Sequence, residues 1–244
     1  MSDISFFHIA SVYRKATEQV VANARKYHPN SFYHLAVDAV DSYEYLAEEF
    51  DLDYRYYTKK IGGPVGDYGY RLENTLEFLN RFYNAAVKCN TSHIVMMEDD
   101  VWLLDKITVN PEWEHAGADT KIGNVIPEPV HDLIERHCGK RPLFKQYGAG
   151  GGTIFKVSTF VENYDIIVRW FKDNFAEIQA YYPTIGYIDC FMNVYYYLCG
   201  KDYSANLHRT DTHNHRPGFD YETFVSNLTP EIQIVNNYKK FYYE

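Results

Sequence analysis

Short apolar runs alternate with segments of helical periodicity over the first hundred residues. The runs predict four buried strands: Ser5–Ala10, Phe32–Val37, Tyr54–Tyr57 and His93–Met97. Apolar residues recur at the spacing of one helix face in Lys15–Tyr27 and Arg71–Cys89, and Ser42 can cap a helix over Tyr43–Phe50. Strands that alternate with helices in this way predict a parallel sheet joined by crossover helices.

The second half of the chain is less regular. Residues Asp105–Pro142 are rich in Pro, Glu and His, which predicts loops with a short helix near Val130–His137. A glycine loop and a strand are predicted over Gln146–Val157, and helices over Thr159–Phe175 and Ile188–Leu198. From Lys201 onward the periodicity is weak. Because no repeat or low-complexity linker divides the chain, we predict one α/β domain over residues 1–244, with a mostly parallel central sheet flanked by helices.

Charge and composition exclude several classes of protein. The formal net charge of -9 argues against broad nucleic-acid binding, which needs a basic surface. The four cysteines form no C-x-x-C pair, so they do not indicate a zinc knuckle, and isolated thiols suggest a reducing compartment. No signal peptide and no membrane-spanning apolar stretch is apparent. We therefore expect a cytoplasmic protein without a membrane span.

The strongest chemical signal is HIVMMEDDVWL, residues 93–103, in which a buried strand ends in Glu98, Asp99 and Asp100. Three adjacent carboxylates repel one another, and a bound cation would offset their charge. If the strand continued, Glu98 and Asp100 would share one side and Asp99 the other. The carboxyl edge of an open α/β sheet binds ligands, and a few oxygen ligands favour Mn²⁺ or Mg²⁺ that also takes substrate phosphate oxygens. The alternative is a solvated acidic turn.

On these residues the chain resembles the GT-A glycosyltransferases, a Rossmann-like α/β family whose DxD motif follows a hydrophobic strand and often reads as an EDD triplet. The matching segment is MMEDDV, at residues 96–101, after three strand–helix units and before a glycine-rich segment. The chain also looks like the small GT-A enzymes encoded by large algal viruses. The resemblance covers roughly the first two hundred residues. It implies that residues 1–104 bind a nucleotide and residues 105–244 bind the sugar and the acceptor.

The resemblance also implies roles for positions in the first half. Asp100 would bind the metal, while Glu98 and Asp99 would approach the donor's ribose or hold metal-bound water. Asp38 would accept the uracil N3–H, or would simply end a strand. Arg71 would contact the nucleotide or its acidic neighbours, or would be a solvated residue at a helix start. The residues expected against the base and ribose are Ala10, Ser11, Val12, Tyr13 and Arg14.

Further positions match in the second half. Asp189, at the start of an apolar helix, would be the base of an inverting enzyme or would orient the sugar in a retaining one; the alternative is an acid favoured by the helix dipole. His213 and His215 alternate along an extended segment, so either would complete the metal site, or both lie in a polar loop. The small residues expected beside the donor sugar, or in a tight turn, are Gly150, Gly151 and Gly152.

The predicted reaction moves a hexose or pentose from a nucleotide sugar, taken to be a UDP-sugar, to a hydroxyl of a glycan or glycoside. A divalent ion on phosphate oxygens would stabilise the leaving diphosphate, and a base would take the acceptor proton. Two other functions use the same residues. One is a metal-dependent phosphoesterase or nuclease built on the acidic triplet and the two histidines. The other is a non-catalytic nucleotide-sugar binding module.

Overall fold

The structure, a computed structural model, describes residues 4–10, 12–38, 43–61, 71–117, 125–143, 150–206, 208–210 and 218–242. The first half alternates strands and helices as predicted. Its elements are β1 (Ile4–Ala10), α1 (Arg14–Tyr27), β2 (Tyr33–Val37), α2 (Glu44–Phe50), β3 (Asp53–Tyr56), α3 (Leu72–Ala86) and β4 (His93–Met97). Helix α3 ends before the predicted Cys89 because residues 87–92 turn back to enter β4.

The second half contains more elements than its sequence pattern predicts. They are β5 (Trp102–Leu103), β6 (His115–Gly117), α4 (Glu128–Cys138), β7 (Ile154–Lys156), α5 (Val157–Tyr181), α6 (Ile188–Leu198), β8 (Tyr203–Asn206), β9 (His208–Thr210), α7 (Tyr221–Ser226) and β10 (Ile234–Asn236). Short 3-10 turns cover Pro183–Gly186 and Lys240–Tyr242. The helix predicted over Thr159–Phe175 extends further at both ends, since α5 runs from Val157 to Tyr181.

Seven strands form a mixed central sheet in the order β3-β2-β1-β4-β7-β6-β8. Strands β3, β2, β1 and β4 are mutually parallel, whereas β7 runs antiparallel to both β4 and β6. Strands β6 and β8 are again parallel. The expected α/β architecture with a mostly parallel sheet is therefore confirmed, with β7 as the antiparallel element.

Helices cover both faces of this sheet because its central strands are apolar on both sides. Phe7, in β1, and Met96, in β4, belong to a core shared with α3, α4, α5 and α6. Their neighbours Phe6 and Met97 belong to a second core shared with α1 and β5. Successive side chains of a strand point to opposite faces, so each strand serves both cores.

The carboxyl ends of β1, β2 and β4 meet at one edge of the sheet. Ala10 pairs with Val37, and His8 pairs with Met97, so these parallel strands end nearly level. Asp38 and the acidic triplet consequently leave the sheet at the same edge as the loop after β1. The triplet therefore lies at the predicted edge of the sheet.

The end of the chain is more ordered than the weak periodicity after Lys201 indicates. Strand β10 pairs antiparallel with β5, immediately after the triplet, and parallel with β9. These strands have only two or three residues each, which is too short for a detectable period. Their pairing brings the chain end back to the edge where the triplet lies.

None of the helices within the described ranges combines the length and the apolar composition that crossing a bilayer requires.

Candidate functional site

The acidic triplet lies in a tight turn rather than in a continued strand. Strand β4 ends at Met97, and the Val101 N–H donates to the Glu98 carbonyl at 3.1 Å. The turn, and not strand alternation, separates the three acids. Asp99 points towards β1 and α1, where it contacts His8 and Thr17. Beyond the effect of burial, the pKa of Glu98 responds instead mainly to the charges of Asp100, Asp189 and Lys239.

Asp99 is buried and fixed by neighbours on the first strand and first helix. Its Oδ1 atom accepts a hydrogen bond from the Thr17 hydroxyl at 2.7 Å and lies 3.1 Å from His8 Nε2. His8 Nδ1 lies 2.8 Å from the Tyr33 hydroxyl. These contacts hold the turn against the sheet. The contact of Asp99 with ribose or metal-bound water stays a prediction.

Asp100 has a buried side-chain oxygen that could bind a ligand. Its side chain is buried, and Oδ1 has no hydrogen-bond partner among the described residues. Oδ2 lies 3.4 Å from Lys239 Nζ. Burial raises the pKa of Asp100, the nearby Lys239 ammonium lowers it, and the charge of Asp99 raises it again. A buried carboxylate oxygen without a donor is costly unless a cation or a proton satisfies it.

Two further carboxylates share this environment. The pKa of Glu98 is raised well above its usual range by burial and by the charges of Asp100 and Asp189, while Lys239 lowers it. Burial and the charge of Asp100 raise the pKa of Asp189 to about 7. The structure thus brings Asp189, some ninety residues away in sequence, to the triplet.

Asp189 owes its position to the start of α6. The helix begins at Ile188, and Asp189 lies in its first turn, where the helix dipole favours an acid. The following residues, Cys190–Leu198, are all buried, which anchors the helix in the core and fixes its first turn at the sheet edge. The base role remains a prediction, although the carboxylate is at the acid cluster.

The glycine segment packs directly on these carboxylates. A Cβ atom at Gly151 would lie 2.6 Å from Val101 Cγ2 and 2.9 Å from Glu98 Oε2. A Cβ atom at Gly150 would lie 3.7 Å from Asp189 Oδ1. Gly152 has a φ of 88°, in the left-handed region, and its N–H donates to the Met96 carbonyl. The glycine backbone therefore lies close to Glu98 and Asp189. The expected contact of these glycines with a donor sugar stays a prediction.

Gly151→Ala tests this close approach. The new methyl group must displace Val101 or Glu98, so we expect the free energy of unfolding to fall by about 1–3 kcal/mol. Gly150→Ala is the matched control, since its nearest neighbour, Asn236 Nδ2, would be 3.4 Å away, and we expect a change within about 1 kcal/mol. Urea unfolding measures both. Equal losses in the two variants would contradict the packing described here.

The C-terminal segment also packs against the triplet, a contact that sequence reasoning missed. The Tyr238 N–H donates to the Asp100 carbonyl at 2.8 Å. The Tyr242 ring stacks on Tyr13, with centroids 3.9 Å apart. Burial and the charges of Asp100, Asp99 and Glu98 raise the pKa of Tyr242. The sequence signal was a basic and aromatic run, NNYKKFYYE at residues 236–244, in a segment without periodicity.

The loop after β1 lies at the same edge of the sheet. Ala10 is buried at the end of the strand, and Tyr13 precedes α1 with its ring against Tyr242. Arg14 is exposed and donates through Nε to the Tyr45 hydroxyl at 3.0 Å. Ser11 lies outside the described residues. Contacts of these residues with a base or ribose stay predictions.

Asp38 belongs to a buried ion pair. Its Oδ2 atom accepts from the Ile61 N–H at 2.7 Å and from Arg81 Nη1 at 3.1 Å. Arg81 is fully buried, donates to Glu77 at 2.9 Å, and lies 4.0 Å above the Tyr57 ring. Sequence reasoning missed Arg81 because it appears as one polar position on an amphipathic helix. The predicted contact of Asp38 with uracil stays a prediction.

Arg81→Met is expected to lower the free energy of unfolding by about 3–5 kcal/mol, because it leaves the buried Asp38 carboxylate uncompensated. Combining it with Asp38→Asn should restore part of that loss. Arg136→Met, at an exposed arginine of α4, is the control and should change stability by less than about 0.5 kcal/mol. Urea unfolding curves distinguish the three, and a negligible loss in Arg81→Met would refute a buried pair.

Two groups of predicted residues cannot be placed at the site. His213 and His215 lie outside the described residues, and Arg71 is an exposed residue that precedes α3. Within the described ranges, no three His, Cys, Asp or Glu side chains form a ready metal-coordinating cluster. A divalent ion that takes one or two carboxylates and otherwise water and phosphate oxygens does not require one.

The sequence matches no family model, and no curated protein is significantly similar to it.

Proposed function

We propose that this chain is a metal-dependent glycosyltransferase of the GT-A type, which transfers a hexose or pentose from a UDP-sugar to a hydroxyl of a glycan. The observation that supports it most is the buried Oδ1 atom of Asp100 at the carboxyl edge of β4, which has no hydrogen-bond partner in the described part of the chain. The charge of Asp100 raises the pKa of both Glu98 and Asp189, and the glycine segment packs against these two carboxylates. Such an edge is where open α/β sheets bind nucleotides.

The residues fit a hard divalent cation. Asp100 would hold Mn²⁺ or Mg²⁺ through the oxygen that lacks a donor, with Glu98 beside it, and His213 or His215 would complete the ligand set. Carboxylate oxygens are the ligands that these ions prefer. When bound, the ion stabilises the negative charge of a departing diphosphate.

Asp189 would act as the base of an inverting transfer. The acceptor oxygen forms a bond to the anomeric carbon while the bond from that carbon to the diphosphate breaks, and its electron pair leaves with the diphosphate. The acceptor proton passes to the Asp189 carboxylate. The glycines, which present no side chain, would let the sugar lie against the backbone near Glu98 and Asp189.

Nucleotide-sugar binding in the presence of Mn²⁺ tests the proposal. The full-length protein is incubated with a panel of UDP-, GDP- and dTDP-sugars, with and without Mn²⁺, and both the melting temperature and the release of nucleoside diphosphate are measured. A ligand that binds the folded state raises the melting temperature. We expect a Mn²⁺-dependent increase with a UDP-sugar, and release of UDP when an acceptor or water takes the sugar.

The other two functions give different outcomes. Cleavage of a phosphodiester substrate without sugar transfer would identify a metal-dependent phosphoesterase or nuclease. Binding of a nucleotide sugar without any turnover on a broad acceptor panel would identify a binding module. No binding of any nucleotide sugar with Mn²⁺ would refute the proposed function.

A further inference from the structure

The segment after β10 places the ammonium group of Lys239 beside the carboxylate of Asp100. After β10, Asn237 adopts a left-handed conformation with a φ of 62°, which turns the chain towards the triplet. The Tyr238 N–H then bonds the Asp100 carbonyl at 2.8 Å, and the Lys239 N–H bonds the Asn237 carbonyl at 3.0 Å. Two backbone bonds and a turn therefore position the Lys239 side chain.

Lys239 lies among more negative charge than it can neutralise. Its Nζ atom is 3.4 Å from Asp100 Oδ2 and 5.2 Å from the Tyr242 ring centroid, and its side chain is 22 % exposed. It lowers the pKa of both Glu98 and Asp100. An ammonium group has three donors, and the described contact with Asp100 uses one. Within the described ranges, Lys239 therefore has donors to spare beside a buried carboxylate oxygen that has no partner there.

A phosphate group that binds together with a divalent cation would satisfy both groups. A cation on Asp100 would offset the acids, and phosphate oxygens would accept from the remaining donors of Lys239. Lysine binds phosphate as a compact point charge. A nucleoside diphosphate has a terminal phosphate that a monophosphate lacks, so a lysine that binds this group can discriminate between them.

We propose that Lys239 is a specificity-determining residue that binds the terminal phosphate of a nucleoside diphosphate, so that the site selects diphosphates over monophosphates. This inference rests on the proposed function, since it concerns the leaving group of the donor. In the absence of a nucleotide, the same ammonium group pairs with Asp100 and partly offsets the acid cluster.

The test compares UDP with UMP in the presence of Mn²⁺, by calorimetric titration of the full-length protein. Lys239→Met should weaken UDP binding about 10- to 100-fold, the effect of losing a hydrogen bond to a charged group, while UMP binding changes little. Lys240→Met is the matched control: this neighbouring lysine pairs with Glu222 at 3.3 Å, and both affinities should stay at the wild-type value.

Each other outcome has a definite meaning. Equal weakening of UDP binding and UMP binding, which leaves the preference for UDP unchanged, would assign Lys239 a merely structural role and overturn the inference. UDP binding at the wild-type affinity would also overturn it. If Lys239→Met does not fold, Lys239→Gln, which keeps a polar side chain and removes the charge, is titrated in its place. A lower preference for UDP over UMP in this variant supports the inference, and an unchanged preference overturns it. A wild-type protein that binds neither nucleotide refutes the proposed function itself.

Discussion

Asp100→Asn is expected to abolish Mn²⁺-dependent binding of the nucleotide sugar and to lower the transfer rate about 10³-fold, the equivalent of several kcal/mol of lost charge stabilisation. The reason is local: among the residues that the structure describes, Asp100 is a buried carboxylate with an unpartnered oxygen, and an amide oxygen is a weaker ligand that carries no charge. Calorimetric titration with Mn²⁺ and UDP, and initial rates of UDP release, measure the two effects.

The same variant should remain folded. Burial raises the pKa of Asp100, so the ionised form is disfavoured in the metal-free protein, and its removal should leave the melting temperature unchanged or higher. Asp132→Asn, at an exposed acid of α4, is the control and should alter neither binding nor rate. Mn²⁺-dependent affinity equal to that of the wild type in Asp100→Asn would remove the metal assignment.

Asp189→Asn is expected to lower the transfer rate about 10²- to 10⁴-fold, the usual contribution of a general base, while UDP and Mn²⁺ still bind. The asparagine side chain has nearly the same shape but cannot take the acceptor proton. Initial rates at saturating donor and acceptor, together with UDP titration, separate the loss of turnover from a loss of binding. The anomeric configuration of the wild-type product is determined in parallel by NMR.

A variant with full activity would exclude Asp189 as the base, and a product of retained configuration would restrict it to orienting the sugar. Asp173→Asn, at an exposed position of α5, is the control for the substitution itself.

The stability of the metal-free protein should also depend on pH through the ionisation of Asp189. The carboxyl has an ordinary pKa of 3.8 and a folded-state pKa of about 7, so the folded state binds more protons between these values. Stability should therefore fall as the pH rises from about 4 to about 7, with the full cost present above 7. In Asp189→Asn, the melting temperature should fall less steeply over this range.

The sequence by itself was sufficient to predict the first half of the fold. The apolar runs that became β1, β2 and β4 are buried on both faces, so they stand out as continuous hydrophobic segments. Since parallel strands end at one edge, the place of Glu98 and Asp100 followed from local pattern and a general rule of α/β sheets. Asp189 and the glycines were named from a resemblance, and the structure brings them to the same edge.

Only the tertiary structure could identify Arg81 and Lys239. Each looks like an ordinary surface residue along the chain, because burial of a charged side chain depends on partners that are distant in sequence. Arg81 reaches Asp38 across 43 positions, and Lys239 reaches Asp100 through the pairing of β10 with β5. Strands of two or three residues carry no periodicity, so their pairing is decided by packing.

One physical cause separates the features that the sequence predicts from those that only the tertiary structure decides. Hydrophobic periodicity records which residues face a core, and the carboxyl ends of parallel strands follow from it, so the edge that carries the acids was determined by the sequence alone. Ion pairs between distant segments depend on how the finished elements pack. The folded chain therefore decided that Asp99 turns away to Thr17 and that Lys239 lies beside Asp100. It also decided that one oxygen of Asp100 has no donor among the residues described.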